Sequence, residues 1–83
     1  METTIAVNQN MSVKQKMSDI ILDISLAKIS MKYFEKSRSW LYHKLDGIDG
    51  NGKPIDFSRD EKEQLRNALK DLSNRISRCA DNL

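Results

Sequence analysis

Cysteine, histidine and glycine are scarce in this chain of 83 residues, which contains one cysteine, one histidine and three glycines. The lone Cys79 excludes an internal disulfide and a zinc site built from several cysteines. With His43 as the only histidine, no catalytic triad or histidine–cysteine metal cluster can form within one chain. The glycines fit neither the ligand spacing of an EF-hand nor the sequence of a P-loop. We therefore expect no enzyme activity, no metal and no cofactor.

Long hydrophobic runs are also lacking. The longest strictly aliphatic run, Ile20-Ile21-Leu22, has three residues, whereas a membrane span needs about 20. The first residues, Met1-Glu2-Thr3-Thr4, carry an acidic side chain where a signal peptide carries basic ones, and no apolar segment follows. We expect a cytoplasmic protein that does not bind a membrane.

Positive charge is concentrated in one segment of the chain. The whole chain has a net charge of +2, but residues 25–45 alone carry +4, because five cations there face the single acid Glu35. Such a segment would attract a polyanion. The alternative is an ordinary solvated face without a specific partner.

The spacing of apolar residues predicts an all-α fold: a small four-helix domain over residues 12–83, after a flexible tail over residues 1–11. Ser12 is the predicted cap of the first helix, residues 12–24, and Ser25 the cap of the second, residues 26–34. The same apolar spacing also fits one continuous helix through Ser25, because no proline or glycine forces a break there.

Capping residues mark the two later helices. Ser37 is the predicted cap of a third helix over residues 38–45, which Gly47 ends in a left-handed conformation. Residues 46–57 hold every glycine and the only proline, so they form a turn-rich loop in which Ile48 and Ile55 flank a tiny β-turn or wing. Ser58 and Glu61 form a capping box before a fourth, long helix over residues 59–80.

The third helix has the pattern of a DNA recognition helix. Leu41 and Leu45 share the face that would pack on the domain, whereas polar side chains lie opposite and at the start of the helix. A bundle helix with a polar outer face is the competing interpretation. If the segment is a helix-turn-helix, the candidate DNA-binding residues are Lys28, Lys32, Lys36, Ser37, Arg38, Ser39, Tyr42, His43 and Lys44.

The string Lys36-Ser37-Arg38-Ser39-Trp40-Leu41-Tyr42 resembles a family of short uncharacterised bacterial proteins, and the resemblance covers most of the chain. It implies a helix-turn-helix-like fold and no particular function. Two features depart from the helix-turn-helix pattern. Glu35 stands in the turn, where glycine is common, and the small residues Ala27 and Ser30 are not at the usual distance before the third helix. We therefore expect a wider turn.

The fourth helix carries an apolar stripe with a 4-3-4-3-4 rhythm from Leu65 to Leu83. Packing inside the domain, against the first helix, would cover only part of it, because the first helix is much shorter. The remainder predicts a homodimer interface formed by Leu72, Ile76, Cys79 and Leu83. The whole pattern favours a small transcriptional regulator that binds double-stranded DNA. The alternative is a non-catalytic helical interaction or assembly module that binds no nucleic acid.

Overall fold

The computed structural model describes residues 12–83, and within that range the chain forms four α-helices. They are α1 (Val13–Lys16), α2 (Leu26–Phe34), α3 (Trp40–Asp46) and α4 (Arg59–Asp81). The predicted all-α class and the long C-terminal helix are confirmed. The predicted tail over residues 1–11 lies outside the described residues.

The first helix is much shorter than predicted, because α1 ends at Lys16 rather than at residue 24. Tight turns follow it, in which Ile20 N–H donates to the Met17 carbonyl and Asp23 N–H to the Ile20 carbonyl, each at 2.9 Å. Serine, aspartate and β-branched residues are poor helix formers, and they dominate this stretch. The turns still bury Met17 and bring Ile20 against the core, so the apolar spacing serves packing without a helix.

Ser25 separates the first segment from α2, which decides between one helix and two. Its backbone is extended, and its hydroxyl accepts a hydrogen bond from the Lys28 N–H at 3.1 Å. That is the geometry of an N-cap. The predicted break is therefore confirmed, and the continuous helix is not formed.

The end of α2 is a left-handed turn at Glu35, with φ 55° and ψ 40°. Lys36 N–H donates to the Ser30 carbonyl at 3.1 Å and Glu35 N–H to the Met31 carbonyl at 3.2 Å, which closes the helix. Residues 35–39 then connect α2 to α3. Five connecting residues exceed the three or four of a standard helix-turn-helix, so the expectation of a wider turn is confirmed.

The core lies where α2, α3 and α4 meet. Leu41 of α3 is completely buried, and Trp40 beside it packs on Phe34 of α2, with the rings tilted by 42° and their centroids 4.7 Å apart. Phe57 reaches the same core from the loop before α4. The buried apolar residues are Met17, Leu26, Ile29, Phe34, Leu41, Leu45, Phe57, Leu65 and Ala68.

The loop between α3 and α4 contains the predicted small turn. Gly47 ends α3 with φ 79°, as expected for a left-handed cap. Ile48 and Pro54 form an isolated antiparallel bridge, flanked by a hydrogen bond from the Ile55 N–H to the Gly47 carbonyl at 2.9 Å. The chain therefore makes a miniature hairpin before α4.

Helix α4 begins at the predicted capping box, in which the Ser58 hydroxyl accepts from the Glu61 N–H and the Glu61 carboxylate from the Ser58 N–H. Among the helices, α4 packs chiefly on α2, whereas α1 packs on α3. The expected packing of α4 against the first segment is present, but turns rather than a helix provide it, since Ile20 and Ile24 line a groove with Leu69 and Leu72 of α4. The reason is the early end of α1 at Lys16.

The left-handed turn at Glu35 predicts a stabilising substitution. The left-handed conformation costs a residue with a Cβ atom roughly 1–2 kcal/mol, which glycine avoids. About half of that advantage is lost, because glycine has more conformational freedom in the unfolded chain. Glu35→Gly should therefore raise the free energy of unfolding by about 1 kcal/mol and the Tm by about 4–8 °C. Thermal and urea unfolding measure both, with Glu35→Ala as the matched control. A Glu35→Gly variant no more stable than Glu35→Ala would contradict the left-handed conformation of residue 35.

Candidate nucleic-acid interface

The start of α3 is set by a buried serine in α2. Ser30 is completely buried, and its hydroxyl donates to the Ser37 carbonyl at 2.6 Å. The same carbonyl accepts from the Trp40 N–H at 3.2 Å. The predicted role of Ser37 as N-cap is therefore wrong, because its main chain belongs to the turn and the helix begins only at Trp40. Ser39 takes the N-cap position without a capping hydrogen bond.

The α3 face consists of Arg38 and Ser39, the last residues of the turn before α3, and of Tyr42 and His43 of the helix itself, and all four are predicted DNA-binding residues. Arg38, Ser39 and Tyr42 are exposed, and His43 is partly buried. Asp46 follows on the same side of the helix, and Lys14 of α1 pairs with it at 3.0 Å. Both partners of that pair are more than half exposed, so it contributes little stability, but it offsets a negative charge beside the α3 face.

The other predicted cations occupy separate positions. Lys28 and Lys32 are exposed on successive turns of α2, and they line a concave surface that α2 shares with α4. Lys36 is exposed in the turn, with its ammonium 5.9 Å from the centre of the Trp40 ring. Ser37 is exposed beside it. The predicted residues therefore form two groups, one on α3 and its turn and one between α2 and α4.

Lys44 differs from the other predicted cations, because it is tied into the fold. Its ammonium lies 2.9 Å from the Glu61 carboxylate and donates to the Asp56 carbonyl at 2.8 Å. Only 15% of the side chain is exposed, and the ammonium lies 5.7 Å from the centre of the Trp40 ring. Lys44 thus joins α3 to the start of α4. Because its ammonium is already paired there, Lys44 does not belong to the candidate interface.

The miniature hairpin lies directly beside the α3 face. A Cβ atom at Gly50 would come within 3.7 Å of the His43 ring. The Asp49 carboxylate accepts hydrogen bonds from the Lys53 N–H at 2.9 Å and the Asn51 N–H at 2.8 Å. These two bonds, Lys53 first, lower the pKa of Asp49. The hairpin therefore holds a carboxylate that stays ionised near His43.

The second half of α4 carries three of the predicted dimer residues, Leu72, Ile76 and Cys79, and the fourth, Leu83, follows the C-cap Asn82. Leu72 is partly buried, whereas Ile76, Cys79 and Leu83 are exposed, with Ile76 58% exposed. Every residue from 73 to 83 is exposed. The prediction that the domain covers only the first part of the apolar stripe is confirmed.

Three residues of α4 that the sequence did not single out, Gln64, Asp71 and Arg75, contact Tyr33 of α2. Arg75 donates to the Tyr33 hydroxyl at 3.0 Å, and that hydroxyl donates to the Asp71 carboxylate at 2.5 Å. Gln64 donates to the Tyr33 carbonyl at 2.9 Å and so closes the end of α2. In the sequence, only the four-residue spacing of Asp71 and Arg75 indicates that these two side chains are neighbours on α4. It does not predict that both contact Tyr33.

Residues 12–83 contain neither a membrane-spanning helix nor a cluster of metal ligands. None of the helices described is long and apolar enough to cross a membrane. In the same part of the chain, no group of three or more histidine, cysteine, aspartate and glutamate side chains converges as metal ligands would.

The chain belongs to the DUF5053 family, a domain of unknown function, whose model matches residues 13–83. The match covers all four helices and the hairpin. No curated protein and no solved structure matches the chain significantly. The family assignment agrees with the resemblance to uncharacterised proteins and assigns no function.

The Lys44–Glu61 pair predicts a pH-dependent coupling. Partial burial alone would raise the pKa of Glu61, but the Ser58 N–H and the Lys44 ammonium together lower it. A lowered carboxylate pKa adds stability above the unfolded value of about 4.3, and that stability is lost as the pH falls below it. A double-mutant cycle with Lys44→Met and Glu61→Gln should give a coupling of about 1 kcal/mol at pH 7.

Glutamine at position 61 can still accept the Ser58 hydrogen bond, so the cycle leaves the cap in place. Urea unfolding of the four proteins measures the coupling. We expect it to weaken as the pH falls below the unfolded value, since the carboxylate is then progressively protonated. A coupling that is absent at pH 7, or unchanged at low pH, would contradict the role assigned to Lys44.

Proposed function

We propose that this DUF5053 protein is a DNA-binding protein, a small regulator that docks the start of α3 against double-stranded DNA. The observation that carries the proposal is the combination of a buried scaffold with an outward polar face. Leu41 and Ser30 are completely buried, while Arg38, Ser39 and Tyr42 stand exposed a few residues away. A fixed helix that offers its first polar residues to solvent is suited to contact base edges.

Each polar side chain at the start of α3 would make a particular contact with DNA. Arg38 would donate two hydrogen bonds to a guanine edge, and Ser39 or His43 would contact a base edge or a phosphate. Lys36, beside the first turn of α3, would neutralise a phosphate. Within residues 12–83 no acidic side chain pairs with Arg38 or Lys36, so neither cation has to break an ion pair there to reach DNA.

We also propose where the protein acts and that it has no catalytic activity. We infer a regulator without catalytic activity of its own that works in the bacterial cytoplasm, where the exposed Cys79 thiol stays reduced. DNA as the partner agrees with the +4 charge of residues 25–45.

Binding can be tested by fluorescence anisotropy with a labelled duplex of random sequence at low salt. Affinity should fall steeply as salt rises, because phosphate contacts release counterions. Arg38→Ala should weaken binding about tenfold and relax base preference, as expected for loss of a bidentate base contact. A randomised duplex library selected on both proteins measures the preference.

Arg66→Ala is the matched control, since Arg66 is an exposed arginine of α4 that pairs only with Glu63 among residues 12–83. It removes the same charge away from α3 and should bind DNA like the wild type. Absence of binding at high micromolar protein would refute the proposal and favour a helical interaction module. Equal losses in the two variants would mean that attraction is general and that α3 is not the contact.

Self-association through α4 is the second part of the proposal. Residues 73–83 remain helical to Asp81 although all of them are exposed. Short helical segments without packing are marginal in water, so a helix end of this kind favours a partner. Leu72, Ile76 and Cys79 recur at spacings of four and three residues, which puts them on one face of α4, and Leu83 follows just beyond the end of the helix.

A second copy of this chain is the occupant that we propose for that face. Ile76 borders an apolar groove of about 320 Å³, in which Ile20 and Ile24 face Leu69 and Leu72. In a symmetric pair each copy offers both the groove and the exposed Ile76, so one patch serves both subunits. Two recognition helices could then address two half-sites on DNA.

Sedimentation equilibrium tests the dimer on the wild type, on Ile76→Asp and on the control Asn74→Asp. Both substitutions add one negative charge to α4, but Asn74 lies roughly 160° around the helix from Ile76 at 100° per residue. We expect a wild-type dimer that Ile76→Asp weakens about tenfold or more and that Asn74→Asp preserves. A wild type that stays monomeric at hundreds of micromolar would exclude the dimer and leave a monomeric DNA-binding protein.

A further inference from the structure

A concave surface between α2 and α4 gathers positive charge from two helices. Lys28 and Lys32 contribute from successive turns of α2, and Arg75 contributes from α4. Ile29 and Leu72 form its apolar part, and its volume is about 380 Å³, within the range of small-molecule sites. We call this concavity the α2–α4 pocket.

The arginine of the pocket is held in place before any ligand arrives. Its Nη1 donates to the Tyr33 hydroxyl, which in turn donates to the Asp71 carboxylate. A guanidinium carries five N–H donors, so the bond to Tyr33 orients Arg75 and leaves other donors for a ligand. Fixing a long side chain in advance removes part of the entropic cost of binding.

The charge balance of the pocket favours an anion. Asp71 offsets one of the three cations, which leaves a local charge of +2. The N-terminus of α2 adds to it, since Ser25, the N-cap of that helix, also lines the concavity. An arginine beside two lysines is typical of sites that bind phosphate.

We propose that the α2–α4 pocket binds a phosphate group, with Lys28, Lys32 and Arg75 as its ligands and Tyr33 as the residue that positions Arg75. The phosphate is either a diester of the DNA backbone or the terminal phosphate of a small phosphorylated molecule. For the first source the inference rests on the proposed function, whereas for the second it is independent. Lys28 and Lys32 then act apart from the α3 face.

Inorganic pyrophosphate is the probe for the second source, added to the full ¹⁵N-labelled chain while amide and arginine side-chain resonances are recorded. We expect saturable shifts at Lys28, Lys32 and Arg75. Arg75→Gln should weaken pyrophosphate binding about tenfold, because it removes a charge-assisted donor group. Tyr33→Phe, which keeps all three cations but releases Arg75, should weaken it less, about threefold.

Lys70→Gln is the matched control, because Lys70 is exposed on α4 and lies roughly 140° around the helix from Arg75. The variants are also tested for binding to the random duplex. For a DNA phosphate, Arg75→Gln should lower affinity and reduce the salt slope by about one unit, as expected for one lost phosphate contact. Lys70→Gln should change neither.

The outcomes separate the pocket from the proposed function. Wild-type protein that binds pyrophosphate in the pocket but no DNA would support the pocket and refute DNA binding. DNA binding that is equal in Arg75→Gln and Lys70→Gln, together with no saturable pyrophosphate shift at the three cations, would overturn the pocket and leave DNA binding through α3 intact. Shifts spread evenly over all lysines would also overturn it, since they would report general attraction.

Discussion

The contact between Ser30 and the Ser37 carbonyl is the constraint on which the rest of the structure depends. A serine is small enough to be completely buried between α2 and the turn. Its hydroxyl donates a hydrogen bond to the Ser37 carbonyl, which replaces the hydrogen bond that the carbonyl would make with water in the unfolded chain. With that carbonyl fixed, the turn brings Trp40 onto Phe34 and Leu41 into the core. Arg38 and Ser39 are then directed to the outside, because they lie between the fixed carbonyl and the buried face.

Polar links between helices complete the frame around that contact. Lys44 ties α3 to the start of α4 through Glu61, and Gln64 ties α4 to the last turn of α2 through the Tyr33 carbonyl. Few apolar side chains are fully buried in so small a chain, so links of this kind matter to its stability. These links also distinguish the cations from one another. Lys44 is paired with Glu61 inside the fold, whereas Lys28 and Arg38 remain exposed on the surface.

Local signals in the sequence predicted the elements that depend on neighbouring residues. The cap at Ser25, the capping box at Ser58 and the left-handed Gly47 each act over one turn, and the structure has all three. The failures have distant causes. Ser37 looks like an N-cap in sequence, but its carbonyl accepts from Ser30, seven residues earlier, and α3 begins only at Trp40. Lys44 looks like a free cation, but Glu61 pairs with it from another helix.

The candidate interface could be predicted only in part for the same reason. The composition of residues 36–43 indicated a polar helix start, and Arg38, Ser39 and Tyr42 are exposed as expected. The division of the cations into two groups could not be predicted, because it depends on how α2 lies against α4. Arg75 was missed because its partner Tyr33 is 42 residues away in the chain. The early end of α1 was also missed, since the apolar spacing continues through turns that are not helical.

The central claim is that the frame built on Ser30 presents the start of α3 to DNA. The most direct test is an amide chemical-shift map of the ¹⁵N-labelled protein as a duplex is added at low salt. We expect the largest perturbations at Lys36, Arg38, Ser39, Tyr42 and His43, with smaller ones at the buried Leu41. Perturbations that are absent, or confined to residues 73–83 at the end of the chain, would contradict the central claim.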